Sequence, residues 1–207
     1  MKLRKSSLAM LLISVAPMLS GCVWVAATGA VVGISAARQE RTVGNALDDK
    51  RIQTTLNSRL LGESTGLFFR VSTTVVEGRV LLAGRVDSPE TRLEATRVAW
   101  SIEGVRKVDN DIEVSEFSGW LDGPSDLIIR SAVAASLLGD KSIKDVNYTV
   151  DAVHGVVYLM GVAQDQGELD RAVAHARGVD GVKRVENYVV LKSDPVRYGF
   201  AASSPPQ

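Results

Sequence analysis

The side chains able to do covalent or acid–base chemistry are few. The 207 residues contain one cysteine, Cys22, and two histidines, His154 and His175. A lone thiol excludes an internal disulfide and a cysteine-built metal centre. The histidines lack zinc-type spacing, and neither a Gly-x-Ser-x-Gly elbow nor a phosphate-cradling glycine loop occurs. Asp165, Glu168 and Asp170 gather where a helix is expected to begin, and carboxylates there suit the positive end of its dipole. No carboxylate pair stands out as an acid and a base. The inventory predicts a protein that is not an enzyme and takes no cofactor. That reading would change if a pocket gathered His154 or His175 with carboxylates.

The setting of Cys22 is more informative. Lys2, Arg4 and Lys5 precede an apolar run over residues 8–19 that is too short for a stable membrane span, the pattern of a secretion signal. Leu19-Ser20-Gly21-Cys22 closes it and resembles a bacterial lipoprotein cleavage site. The resemblance implies removal of residues 1–21 and a covalent N-acyl diacylglycerol group on Cys22, the only non-protein group expected. Val23, rather than Asp, follows the cysteine and argues against inner-membrane retention. The next fourteen residues are also uncharged, too few to cross about 30 Å of hydrocarbon. They read as a tether near the membrane, with a helix face packed through Gly29 and Gly33 as the alternative.

Loss of the signal leaves 21 basic against 24 acidic residues, so the mature chain is mildly acidic and nucleic acid is not an expected partner. Folded elements must come from the remainder, and they come twice. Gly78-Arg79-Val80-Leu81-Leu82-Ala83-Gly84 matches Gly155-Val156-Val157-Tyr158-Leu159-Met160-Gly161 at an offset of 77 residues. The same offset aligns Gly104-Val105-Arg106-Lys107-Val108 with Gly181-Val182-Lys183-Arg184-Val185, and Asp49 with Asp126.

Each copy reads helix, strand, strand, helix, strand. Ile52, Leu56 and Leu60, like Ile129, Val133 and Leu137, recur every four residues as a buried helical stripe. Alternating runs flank Glu77-Gly78 and His154-Gly155, the mark of a tight hairpin. Second helices are expected from Ser88-Pro89 and from Asp165, ending before Gly104 and Gly181. The predicted class is α+β, two tandem αββαβ units, each with two helices on a three-stranded mixed sheet. The expected divisions are a signal (1–21), a lipidated N-terminus and tether (22–45), domain one (46–116), a linker (117–124), domain two (125–192) and a disordered tail (193–207).

The αββαβ order, the Gly-Arg-Val-Leu-Leu-Ala-Gly strand and the Gly-Val-Arg-Lys-Val and Gly-Val-Lys-Arg-Val turns resemble BON domains, named for bacterial osmotically inducible and nodulation proteins. A lipobox followed by two such units is similar to the dual-BON outer-membrane lipoproteins. The resemblance implies a non-enzymatic protein on the periplasmic face of the outer membrane. It also implies binding of anionic phospholipid through the second domain and support of envelope integrity, in some bacteria at division sites.

The two copies serve as controls for each other. The stripe of the first helix is kept in both, but Lys50, Arg51, Gln53, Thr54, Asn57 and Ser58 of the first correspond to Leu127, Ile128, Arg130, Ser131, Ala134 and Ala135 of the second. With Leu138, residues 127, 131, 134 and 138 fall along one helix face. An apolar face of this kind asks for a partner. For a lipidated protein the nearest apolar phase is the membrane, with Leu127, Ile128, Ser131, Ala134, Ala135, Leu138 and Arg130 as the contacts. Packing on the first domain, on linker residues Phe117, Trp120 and Leu121, or on an outer-membrane assembly or division protein are the alternatives. Related lipid-binding members carry a tryptophan near the start of this helix, where this chain has Leu127 and Ile128. Eight basic and nine acidic residues lie between positions 125 and 192, so attraction to anionic headgroups rests on a local group, Arg130, Lys141 and Lys144. His154 occupies the turn position of Glu77, and His175 replaces Val98 in the second helix, an edge position with pH sensing as the alternative.

Overall fold

Ile52, Leu56 and Leu60 are all buried on one side of α1 (Val43–Glu63), which carries polar residues on the other. The computed structural model describes residues 43–115 and 124–197, so Cys22, the tether and linker residues Phe117, Trp120 and Leu121 lie outside the described residues. After α1 come α2 (Thr65–Arg70), β1 (Val71–Val76), β2 (Arg79–Val86), α3 (Pro89–Trp100) and β3 (Lys107–Val114). The second unit repeats the order as α4 (Pro124–Gly139), a 3-10 turn at Asp145–Asn147, β4 (Tyr148–Val153), β5 (Val156–Ala163), α5 (Gln166–Arg177) and β6 (Arg184–Leu191). Both units are mixed three-stranded sheets: β1 and β4 run antiparallel to β2 and β5, which pair parallel with β3 and β6. The α+β class and the twofold αββαβ order agree with the sequence.

Local chemistry sets the element ends. The Ser88 hydroxyl accepts the Thr91 amide ahead of Pro89, and the Asp165 carboxylate accepts the Glu168 amide at 2.8 Å, so both second helices begin on a side-chain cap. The hairpins turn on Glu77-Gly78 and His154-Gly155, with all four residues at positive φ as a two-residue type I′ turn demands. Two non-glycine residues accept that conformation because an aspartate holds each turn. Asp49 receives the amides of Glu77 and Gly78, and Asp126 those of His154 and Gly155, each at 2.8 Å. The Asp49 and Asp126 match in the repeat is thereby explained.

Alternation along the strands divides the interior into three cores. Val80, Leu82 and Val86 meet the helices of their own unit, as do Val157 and Leu159 in the second. The intervening residues face the opposite way, where Val76, Leu81 and Ala83 pack against Val153, Tyr158 and Met160. The two sheets thus lie face to face with helices on both outer sides. Arg79 crosses this interface, donating to the carbonyls of Tyr188 at 3.0 Å and Gly161 at 3.1 Å. Burial pulls its pKa below the usual arginine value, with Glu77 and Asp109 opposing.

The tail expected to be disordered from Ser193 is instead structured as far as Arg197. The Asp194 carboxylate accepts the Val196 amide at 2.9 Å, and Pro195–Arg197 forms a 3-10 turn. Arg197 then reaches Glu77 in the first domain. A charge with a buried counter-charge to find overrides the polar, proline-bearing composition.

Candidate functional site

α4 is apolar on two sides. Ile129, Val133 and Leu137 fill the core of the second domain. On the opposite side Leu127, Ile128 and Leu138 are 51 %, 67 % and 68 % exposed, and Ser131, Ala134 and Ala135 lie exposed among them. Six of the seven expected contacts therefore share one open face. The domains pair through their sheets, so packing of this face on the first domain is excluded. Leu138 matches Leu61, itself 45 % exposed, so the contrast between copies rests on positions 127, 128, 134 and 135. No helix among the described residues is long and apolar enough to cross a membrane.

Arg130 stands apart from this group. Its Nη1 lies 3.4 Å from Asp151 Oδ1, and Asp151 also accepts the hydroxyl of Ser72 in the first domain. The guanidinium is thus turned toward the interdomain side. Lys141 and Lys144 remain exposed beyond the C-terminal end of α4, with Lys144 Nζ donating to Gln164 at 3.1 Å.

The histidines differ in their surroundings. His175 Nδ1 lies 2.8 Å from Ser136 Oγ and its Nε2 3.1 Å from Asp140 Oδ2, joining α5 to α4 and to the turn after it. The Ser142 amide, and then His175, hold the Asp140 carboxyl below its ordinary range. A pocket does bring His175 together with a carboxylate and a serine. The set nevertheless lacks what acyl transfer requires. Ser136 sits inside a continuous helix whose amides are spent on helical hydrogen bonds, leaving no convergent donors for an oxyanion. The ring nitrogens also meet serine and aspartate in the reverse of the hydrolase order. The cluster is best understood as a pin between helices. His154 occupies the turn, as its alignment with Glu77 predicts. Among the described residues no group of three or more His, Cys, Asp and Glu is placed to hold a metal ion.

Sequence reasoning missed four structural contacts: the two aspartate-held turns, the Arg79 bridge and the Arg197–Glu77 pair. The recurrence of Asp49 at Asp126 was the one signal available for any of them.

Comparison with known proteins gives a consistent picture. The BON domain pattern matches residues 48–116 and 125–193. The chain is 41 % identical over 152 residues to a protein of Anaplasma centrale named "Uncharacterized protein in gshII 5'region", covering 73 % of this chain and 99 % of that one. It is 32 % identical to Osmotically-inducible protein Y of Escherichia coli, over 72 % of this chain and 76 % of the relative. It is 28 % identical to Outer membrane lipoprotein DolP of Haemophilus influenzae, over 81 % of this chain and 86 % of that protein.

Proposed function

The chain belongs to the BON-domain family, and from that premise we propose that it is a non-catalytic, lipid-anchored outer-membrane protein whose second domain docks on phospholipid. The observation that carries this reading is the open face of α4, where three large aliphatic side chains stand in water although the helix already fills a core from its other side. Burying each in an apolar phase gains roughly 1.5–3 kcal/mol. The anchor is acylated Cys22, which keeps α4 near the bilayer and raises the occupancy of a weak contact. Similarity to a protein named an outer membrane lipoprotein supports both the anchor and the location. Lys141 and Lys144 add attraction to anionic headgroups at about 1 kcal/mol for each well-placed cation. Docking of the second domain leaves the outer helices of the first for envelope partners, and the protein thereby supports envelope integrity, division sites included.

Flotation of the non-lipidated fragment 39–207 on vesicles of phosphatidylethanolamine and phosphatidylglycerol tests this. The fragment is expected to float, and Ile128→Glu to lower the bound fraction by about tenfold. If the fragment stays in the dense fraction, or Ile128→Glu floats as well as the parent, lipid docking is wrong. The α4 face then belongs to a protein of the assembly or division machinery.

A further inference from the structure

The two copies diverge where the second helix meets the edge of its sheet. In the first unit that seam is closed. Arg92 donates to the side chain and the carbonyl of Asn110 at 3.3 and 3.1 Å, and Asn110 Nδ2 donates to the Arg92 carbonyl and the Thr96 hydroxyl. At the offset of the repeat these residues become Leu169, Asn187 and Val173, and the network is lost. What remains between α5 and β6 is a groove of about 400 Å³, lined by Leu169, Val173 and Val185 and bordered by Asp170, Arg177 and Asn187.

One wall of this groove is a strand edge. β6 is the last strand of its sheet and pairs with β5 alone among the described residues. The Lys183 amide donates to the Gly155 carbonyl at 2.8 Å, so the alternation of a parallel ladder turns the main-chain groups of Arg184 and Glu186 outward. Further along, Asn187 Oδ1 takes the Val189 amide at 3.0 Å and ends the usable edge. The open stretch therefore runs over residues 184–188.

Main-chain donors and acceptors along an edge are matched by those of an extended peptide, and an adjoining groove receives its alternate side chains. An acyl chain would cover Leu169 and Val173 but leave the edge unsatisfied. A second copy pairing β6 with β6 would keep its own Val185 and Val189 in its own core and leave the groove empty. Charge selects the composition of the peptide. Because β5 and β6 are parallel, α5 returns antiparallel to β6, with Asp170 toward the Asn187 end and Arg177 toward the Arg184 end. Gln166 holds Asp170 at 2.8 Å, whereas the Arg177 side chain makes no ion pair or hydrogen bond among the described residues. The two charges stand about 10 Å apart along the helix, close to the roughly 13 Å between the ends of a five-residue strand. An antiparallel strand, the better-paired direction, begins beside Asp170 and ends beside Arg177. That order calls for a basic residue first, an apolar one at the centre and an acidic one last.

We propose that the α5–β6 groove of the second domain binds an extended peptide segment of the pattern basic-x-apolar-x-acidic, added as a fourth strand at the β6 edge. Its apolar residue seats on Leu169, Val173 and Val185, and its charged residues meet Asp170 and Arg177. The groove uses no residue of α4, so the site stands or falls independently of lipid docking.

The test is a titration of ¹⁵N-labelled fragment 39–207, the compact unit of the chain, with the end-blocked peptide Lys-Thr-Val-Thr-Glu. Expected are saturable shifts at the amides of Arg184 and Glu186 and at the Asn187 side chain, with slowed hydrogen exchange at Glu186. Replacing the peptide's central Val by Ser, or its final Glu by Lys, is expected to weaken binding about tenfold in each case. Arg177→Glu, at an exposed position, is expected to reverse the preference between the Glu-ended and Lys-ended peptides. Leu169→Arg with Val173→Thr installs the side chains that close the first unit and is expected to abolish binding, with circular dichroism reporting an intact fold. The proposal is overturned by an absence of saturable shifts at millimolar peptide, by equal binding of the Glu-ended and Lys-ended peptides, by a preference unchanged in Arg177→Glu, or by shifts confined to the α4 face. Shifts at the β6 edge that depend on dilution without peptide would assign the edge to a second copy and overturn it as well.

Discussion

Arg197 closes on Glu77 across the two domains, with Nη2 2.6 Å from Oε1 and Nε 3.0 Å from Oε2, and the side chains are only 6 % and 7 % exposed. Taking one partner from a buried pair strands the other charge, at a cost of about 3–5 kcal/mol, whereas replacing both is far milder. Arg197→Met is expected to lower the unfolding free energy by that order in urea titrations. The double variant Glu77→Gln with Arg197→Met is expected to recover most of the loss. A single variant within about 0.5 kcal/mol of the parent would mean that the pair is not buried in solution.

Asp49 and Asp126 make the same prediction twice. Each carboxylate takes both amides of its hairpin turn, and each is buried. Truncation to alanine leaves two buried N–H groups without an acceptor, at about 1–3 kcal/mol for each. Hydrogen exchange should report the loss locally: Asp126→Ala is expected to accelerate exchange at His154 and Gly155 and leave Glu77 and Gly78 unaffected. Equal acceleration at both turns would argue against two separately held hairpins.

Most of the fold was legible because the sequence contains its own control. Helix stripes, hairpins and mixed sheets recur at one offset, and the α4 face stood out because Lys50, Arg51, Asn57 and Ser58 of α1 stand where α4 has Leu127, Ile128, Ala134 and Ala135. What stayed hidden depends on distance along the chain. The alternate residues Leu81 and Ala83, or Tyr158 and Met160, announce strands buried on both faces but not what covers the second face. Arg79 sits in the hairpin-strand motif, yet its role depends on carbonyls 82 and 109 positions away. Arg130 looked like a headgroup cation because its acceptor, Asp151, lies in a strand that the helix pattern does not report.

Gly84 and Gly161 occupy equivalent places where a strand passes tightly beneath the preceding segment. A Cβ added at Gly84 would lie 2.1 Å from the Arg70 carbonyl oxygen, and one at Gly161 2.1 Å from that of Asn147. Backbone cannot retreat as a flexible side chain can. Gly84→Ala and Gly161→Ala are each expected to cost about 3 kcal/mol or more, as separation of β1 from β2 or β4 from β5. Thermal unfolding by circular dichroism measures this, and an unchanged midpoint for either variant would contradict the close approach.

His154 gives the fold a pH dependence of definite sign. Burial, and after it the Arg85 charge, push its pKa below the ordinary 6.5, against the pull of Asp126 and Glu113. Its Nε2 is buried without a hydrogen-bond partner among the described residues. The unfolded imidazole titrates near its usual value of about 6.5, so below that pH the unfolded chain binds more protons than the native one. Stability is therefore complete above that range and falls as the pH drops toward the native pKa. His154→Asn preserves the turn, since asparagine tolerates the φ of 53° found there. Urea midpoints measured between about pH 5.5 and 7.5 are expected to decline less steeply in acid for His154→Asn than for the parent. Parallel curves would assign the acid sensitivity elsewhere and refute a destabilising charge at the hairpin.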